Sequence, residues 1–197
     1  MIDEDILRFF PQDGVYEVIL STKGETKNAS PIGIRREGKM LYALVFRDTV
    51  TFSNLSKEKK CSLTLSHNPE KFYRALVGQL NDVVKVTEEG YPYLPGNVVI
   101  LADCVISNSG NPVRVDVVPK GLLHCNDEED FYAFSRADSL FIDALVHLTR
   151  LDIESEDQRE ILIRLMFYEL STAKRLKPSL GPLVDEIASR LIKAYKL

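Results

Sequence analysis

The chain lacks the surplus of positive charge that a general nucleic-acid surface needs. Lys and Arg number 25 against 29 Asp and Glu, a formal charge of −4, whereas binding a phosphate backbone requires a clustered basic face that releases counterions. Two short basic runs, Arg35-Arg36 and Lys57 to Lys60, are interrupted by acids or sit beside turns, and they read as solvated surface. No apolar run approaches the ~20 residues that span a bilayer. The first residues, Met1-Ile2-Asp3-Glu4-Asp5, are acidic where a signal peptide is basic. A cytoplasmic protein with neither nucleic-acid nor membrane partners is therefore expected.

Cysteine is scarce as well. Cys61, Cys104 and Cys125 are widely spaced and form no CxxC, which points away from a disulfide framework or a zinc ribbon and toward buried thiols; a reactive Cys125 beside His124 is the minor alternative. The motifs GxSxG, GxxxxGK(S/T), GxGxxG and HExxH are all missing, and with them the chemistries they carry. His124 with Asp127, Glu128 and Asp130 offers metal-capable groups, but consecutive acids at a helix start rarely converge on one ion, so no metal is expected. There is no internal repeat and no low-complexity segment.

What remains is an ordinary globular composition, 45% hydrophobic and 27% charged over 197 residues, enough for one sizeable domain and an appendage. Ile6 to Phe10, closed by Pro11, reads as a short helix or arm. Val15–Ser21, Asn28–Arg36 and Met40–Phe46 read as strands joined by turns at Lys23-Gly24-Glu25 and Glu37-Gly38-Lys39. The third is nearly continuously apolar, as if both faces were covered. Cys61–Ser66 continues the series, and Glu70–Leu80 carries Phe72, Tyr73, Leu76, Val77 and Leu80 at helical spacing. Val83–Val86 is a short strand and Gly90–Gly96 an aromatic loop. Asn97–Ser107 and Val113–Val118 make a hairpin across Asn108–Pro112. From Asn126 the pattern turns helical. The first helix is preceded by the acids Asp127 to Asp130 and carries Leu140, Phe141, Ala144, Leu145, Leu148 and Leu151. Ser155-Glu156-Asp157-Gln158 caps a second over Arg159–Lys177, and a third follows Gly181-Pro182. The expected fold is mainly β with α: an antiparallel split β-barrel of six or seven strands over residues 1–125, then a helical subdomain over 126–197.

Two blocks carry the chemistry. Asn28-Ala29-Ser30-Pro31-Ile32-Gly33 is a strand of small residues, which lets a flat ring approach the backbone. Arg47-Asp48-Thr49-Val50-Thr51-Phe52-Ser53-Asn54-Leu55 gathers a guanidinium and hydroxyls ahead of a helical turn, the donor set a phosphate requires. Each has an ordinary reading beside it: Thr and Ser at strand ends are β-formers and caps, and Asn54 caps as readily as it binds.

These blocks, with Ser135-Arg136-Ala137 and Phe141-Ile142-Asp143-Ala144-Leu145-Val146-His147-Leu148-Thr149-Arg150-Leu151 further on, resemble a mostly archaeal family of FMN-binding split-barrel proteins, domain of unknown function 447. That family is related in fold to flavin reductase-like and pyridoxamine-phosphate-oxidase-like barrels. The resemblance covers about Gly14 to Asp152. It implies FMN as cofactor, a homodimer with flavin at the subunit interface, and flavin-dependent oxidoreductase chemistry; a non-catalytic flavin carrier or structural dimer is the alternative. On it, Asn28, Ala29, Ser30, Pro31, Ile32 and Gly33 are assigned to the flavin, with the backbone around Ser30 to Gly33 at the ring edge, and Arg47, Thr49, Thr51 and Asn54 to the ribityl phosphate. Arg136, Asp143 and Arg150 lie seven apart on one helical face, either as a salt-bridged stripe or with Arg136 or Arg150 reaching the flavin across a subunit boundary. His147 reads as packing or interface. His67 is either beside a ring edge or a solvent-facing loop residue, and Thr64 stands where relatives tend to carry asparagine.

Overall fold

The computed structural model describes residues 4–96, 98–125 and 132–195. The chain divides into two compact units, Met1–Gln12 with Tyr16–Phe134 and Asp13–Val15 with Ser135–Leu197. The first unit continues past the expected 125/126 boundary because Phe134 O accepts from Glu17 N and Ala133 N donates to Phe9 O, both at 2.8 Å. The acidic run Asp127–Asp130 lies outside the described residues, as do the side chains of His124 and Cys125.

The first unit is a closed antiparallel barrel of six strands in the order β1-β2-β3-β8-β7-β4. Its members are β1 (Gly14–Lys23), β2 (Lys27–Glu37), β3 (Met40–Val45), β4 (Lys60–Leu65), β7 (Val98–Ile106) and β8 (Val113–Cys125). Two short strands, β5 (Lys85–Val86) and β6 (Pro92–Tyr93), pair outside it, so the aromatic loop is in fact a small hairpin. Closure leaves neither sheet end exposed along its full length. Alternation fills the interior: Val18, Leu20, Ile34, Leu41, Ala43, Leu63, Ile100, Val115 and Val117 point inward, and Phe9 and Phe10, just after α1 (Glu4–Leu7), join the same core. Burying one such side chain contributes about 1.5–3 kcal/mol.

Between β2 and β3 the turn passes through Gly38 at φ 58°, a left-handed conformation that costs glycine nothing. The β8 strand runs through Pro119 rather than stopping before it. Pairing slips between Val99 and Ile100 and between Leu101 and Ala102, and a proline without an N–H is tolerated where a ladder is already interrupted. The outer face of β3 is covered at Tyr42 but not at its ends as expected, since Met40 is 53% and Leu44 38% exposed. Likewise α3 (Pro69–Leu76), capped by Asn68 on the N–H groups of Glu70 and Lys71, buries only Ala75 while Tyr73 and Leu76 face solvent.

The cysteine expectation needs correcting. Cys61 and Cys104 are buried, but as a disulfide bond between β4 and β7 rather than as thiols. Adjacent strands bring together two residues 43 apart in sequence, a pairing that spacing alone does not reveal.

The second unit holds α4 (Arg136–Leu148), α5 (Glu156–Leu176) and α6 (Gly181–Tyr195). Ser135 and Ser155 cap the first two on the N–H groups of Asp138 and Gln158. Ala144, Leu151, Ile163, Met166, Leu170, Val184 and Leu191 form its core. Leu145, Leu148 and Leu165 are about two-fifths exposed (37%, 37% and 42%). Among the described residues no helix is long and apolar enough to cross a membrane.

Candidate functional site

The barrel parts at one seam. Pairing of β2 with β3 runs from Glu37↔Met40 to Ile34↔Ala43 and ends there, while β3 stays paired to β8 through Val45↔Val113. Beyond Ile34 the two strands diverge, and the chain leaving β3 turns into α2 (Val50–Lys57). A cleft of about 520 Å³ opens between them, within the ~300–1,000 Å³ usual for small-molecule sites.

Of the residues expected there, Asn28, Ser30, Pro31, Ile32 and Gly33 line one wall, and Thr49 and Thr51 line the end formed by α2. Leu44, Val45, Phe46 and Val50 complete it; the first three were not expected there, because the apolar run Met40–Phe46 reads from sequence as buried strand. Phe46 is 55% and Val50 50% exposed, so the apolar wall stands open to solvent.

The polar end is preorganised. Asn28 Nδ2 donates to Thr51 Oγ1 at 3.0 Å and lies 3.4 Å from Ser30 Oγ, and the two hydroxyls of Ser30 and Thr51 are 2.9 Å apart. Thr49 is the helix cap: its Oγ1 accepts from Phe52 N at 3.2 Å and donates to Phe46 O at 2.7 Å. A helix supplies no internal partner to its first N–H groups, here those of Val50 and Thr51, and its dipole makes this end positive. The lining residues include no carboxylate or imidazole.

Three expected ligand contacts within the first unit are not brought to this wall. Ala29 faces the other way, by the two-residue period of a strand, into a cluster with Ile19, Ala75, Val84 and Leu94. Asn54 is 3% exposed and spends its amide on Thr22 Oγ1 and Thr26 O. Arg47 does not line the cleft; its Nε donates to Gly110 O at 2.9 Å and its guanidinium lies over Phe52 at 5.2 Å, beside the start of α2. Arg136 and Arg150 belong to the helical unit, both exposed, with Arg150 beyond the end of α4.

The remaining candidates are placed elsewhere. Thr64 is buried and donates to Leu94 O at 2.9 Å. His67 Nε2 is 2.7 Å from Tyr132 O, in a separate cavity of about 210 Å³ with Glu17, Phe72 and Phe134. His147 packs inside the helical unit, 3.4 Å from Glu169. Burial pushes the Glu169 carboxyl above its ordinary range; His147 pulls it down and Asp143 pushes it up. Among the described residues no group of three or more His, Cys, Asp or Glu is arranged to hold a metal.

Residues 16–121 match the N-terminal domain of a protein of unknown function (DUF447), and residues 135–192 match a second DUF447 domain. No curated protein matches the sequence. Among solved structures, an FMN-bound DUF447 protein from Methanosarcina mazei is 24% identical over 88% of this chain and 91% of its own, with a TM-score of 0.56. An FMN-binding protein from Thermus thermophilus with bound p-hydroxybenzaldehyde is 10% identical, with 62% and 78% covered and a TM-score of 0.51. A flavoredoxin from Methanosarcina acetivorans is 12% identical, with 60% and 74% covered and a TM-score of 0.50. At these identities the likeness is one of fold.

Proposed function

Because the chain belongs to the DUF447 family, we propose that the cleft between β2, β3 and α2 binds FMN and that the protein serves flavin-dependent redox chemistry. The observation that carries this is the division of the cleft into two ends: small residues and apolar walls along Pro31, Gly33, Leu44 and Phe46, and a hydroxyl-lined helix start at Thr49 and Thr51. The first suits a flat heterocycle and the second a phosphate. The FMN bound to the Methanosarcina mazei protein supports the choice of ligand.

Flavin supplies hydride or electron transfer when bound. The chain's own share is to hold and orient it. The β2 edge beyond Ile34, released from β3, offers backbone groups to the ring's polar edge. The N–H groups of Val50 and Thr51, at the helix start that Thr49 caps and with Arg47 alongside, hold the phosphate. The homodimer implied by the resemblance, with Arg136 or Arg150 reaching flavin across a subunit boundary, belongs to the same reading.

A non-catalytic flavin carrier is the second reading, favoured by one observation: the lining residues offer no side chain suited to proton transfer. Reduced nicotinamide separates the two, since it bleaches the bound flavin of a reductase at a useful rate and leaves a carrier yellow. The primary experiment is the visible spectrum of purified protein after FMN is added and the excess removed by gel filtration. A flavin band co-eluting with a dimer-sized peak is expected. Protein that stays colourless returns Arg47 to Asn54 to the role of ordinary strand end and cap.

A further inference from the structure

Asn54 has the geometry of a fastener. It lies one turn beyond the cleft-lining start of α2, and its amide donates to Thr22 Oγ1 of β1 at 3.2 Å and to Thr26 O of the β1–β2 hairpin at 2.9 Å. Gly24 closes from the other side: a Cβ there would stand 2.4 Å from Asn54 Oδ1, so a side chain would force the tip away. Lys57, nearly a turn further along the helix, pairs with Glu25 of the same tip. Helix and hairpin are thus joined at consecutive points, and the second strand of that hairpin is β2, which carries Asn28 and Ser30 to the cleft.

We infer that Asn54 is a positioning residue that fixes α2 to the β1–β2 tip and so sets the spacing between the helix's first turn and the Asn28–Ser30 edge. Through that spacing it governs discrimination between phosphorylated and unphosphorylated flavins. This rests on the cleft reading above and moves Asn54 from the ligand to the frame. A helix is stiff over the ~5 Å of one turn, so displacement at Asn54 is carried to Thr51. Hydrogen bonds to a phosphate weaken steeply with misalignment, whereas the non-directional burial of a ring against Leu44 and Phe46 tolerates it.

The test uses Asn54→Asp, which keeps the shape and removes both donated hydrogen bonds, and Gly24→Ala, which drives the tip and the Asn54 side chain apart while residue 54 stays asparagine. Amide hydrogen exchange over residues 22–27 and 50–57 is read on ligand-free protein, and dissociation constants are measured for FMN and riboflavin. Both variants are expected to exchange faster in these segments and to lose about tenfold or more in FMN affinity but less than about threefold in riboflavin affinity. Faster exchange with equal loss of both flavins, or with no loss, overturns the inference. So does weaker binding with unchanged exchange, because Asn54 would then act on the ligand directly. Wild-type protein that binds neither flavin defeats the cleft reading and the discrimination role together, and the ligand-free exchange data tell that result from a lock that never existed. Should Gly24→Ala fail to fold, Asn54→Asp carries the test alone.

Discussion

Asn28 and Thr51, 23 residues apart, share a 3.0 Å hydrogen bond that ties the free edge of β2 to the first turn of α2. Ser30 Oγ, 2.9 Å from Thr51 Oγ1, makes the tie a three-membered polar cluster. Thr51 is only 5% exposed, so its hydroxyl works within this cluster and toward the cleft.

Thr51→Val keeps the shape and deletes the hydroxyl. FMN affinity is expected to fall about tenfold, in line with one lost hydrogen bond and the Asn28 amide deprived of the nearer of its two acceptors. Flavin fluorescence titration measures it, with thermal denaturation as the check on folding. Unchanged affinity would show that ligand does not engage this end.

Arg47→Ala combined with Thr49→Ala addresses the phosphate. Losing the Thr49 cap alone costs about 1 kcal/mol of helix stability, so Thr49→Ser, which retains a cap, serves as control. The double variant is expected to lose about 100-fold in FMN affinity, through the lost Arg47 guanidinium and the uncapped helix start, and several-fold less in riboflavin affinity. Equal losses for the two ligands in calorimetry would sink the phosphate assignment.

The barrel was legible because strand patterning and turn residues agree along the chain: Lys23-Gly24-Glu25 and Glu37-Gly38-Lys39 fall between β-branched runs, and the hairpins form where those signals stand. The cleft was legible in part. Thr49 and Thr51 lie on it, as their clustering near Arg47 suggested, but treating residues 28–33 as one block ignored the pleat, which turns Ala29 away while Asn28 and Ser30 face the helix. Asn54 could not be assigned from sequence, since one asparagine can cap, bind or fasten and only the approach of Gly24 decides. The Cys61–Cys104 pair was hidden for a similar reason, as it depends on the register between β4 and β7. Periodicity found α3 but not how little of its apolar stripe is covered.

The disulfide gives a prediction independent of flavin. With Cys61 paired to Cys104, denatured protein without reductant should titrate one thiol, and reduced protein all three cysteines of the chain. Closing a loop of this length stabilises by about 4 kcal/mol on the chain-entropy account, so reduction should lower the melting temperature by on the order of 10 °C. Three thiols titrating without reductant would restore the buried-thiol reading.

Glu169 sets the pH dependence of the helical unit. Its Oε1 lies 3.4 Å from His147 Nε2, while Oε2 and His147 Nδ1 are buried without hydrogen-bond partners. Burial raises the Glu169 pKa above its unfolded value, Asp143 adds to the rise, and His147 opposes it. A raised carboxyl binds its proton more tightly in the folded state, so this contribution is fully present below the unfolded pKa and is lost as pH climbs through the folded one. Glu169→Gln keeps the shape and abolishes the titration. The variant should match wild type near pH 4 and melt at the higher temperature at pH 7, with the gap opening as pH rises. Thermal melts at pH 4, 5.5 and 7 decide it. If wild type were the more stable at pH 7, with the gap widening from pH 4, attraction to His147 would outweigh burial and the pair would act as a stabilising bridge between α4 and α5.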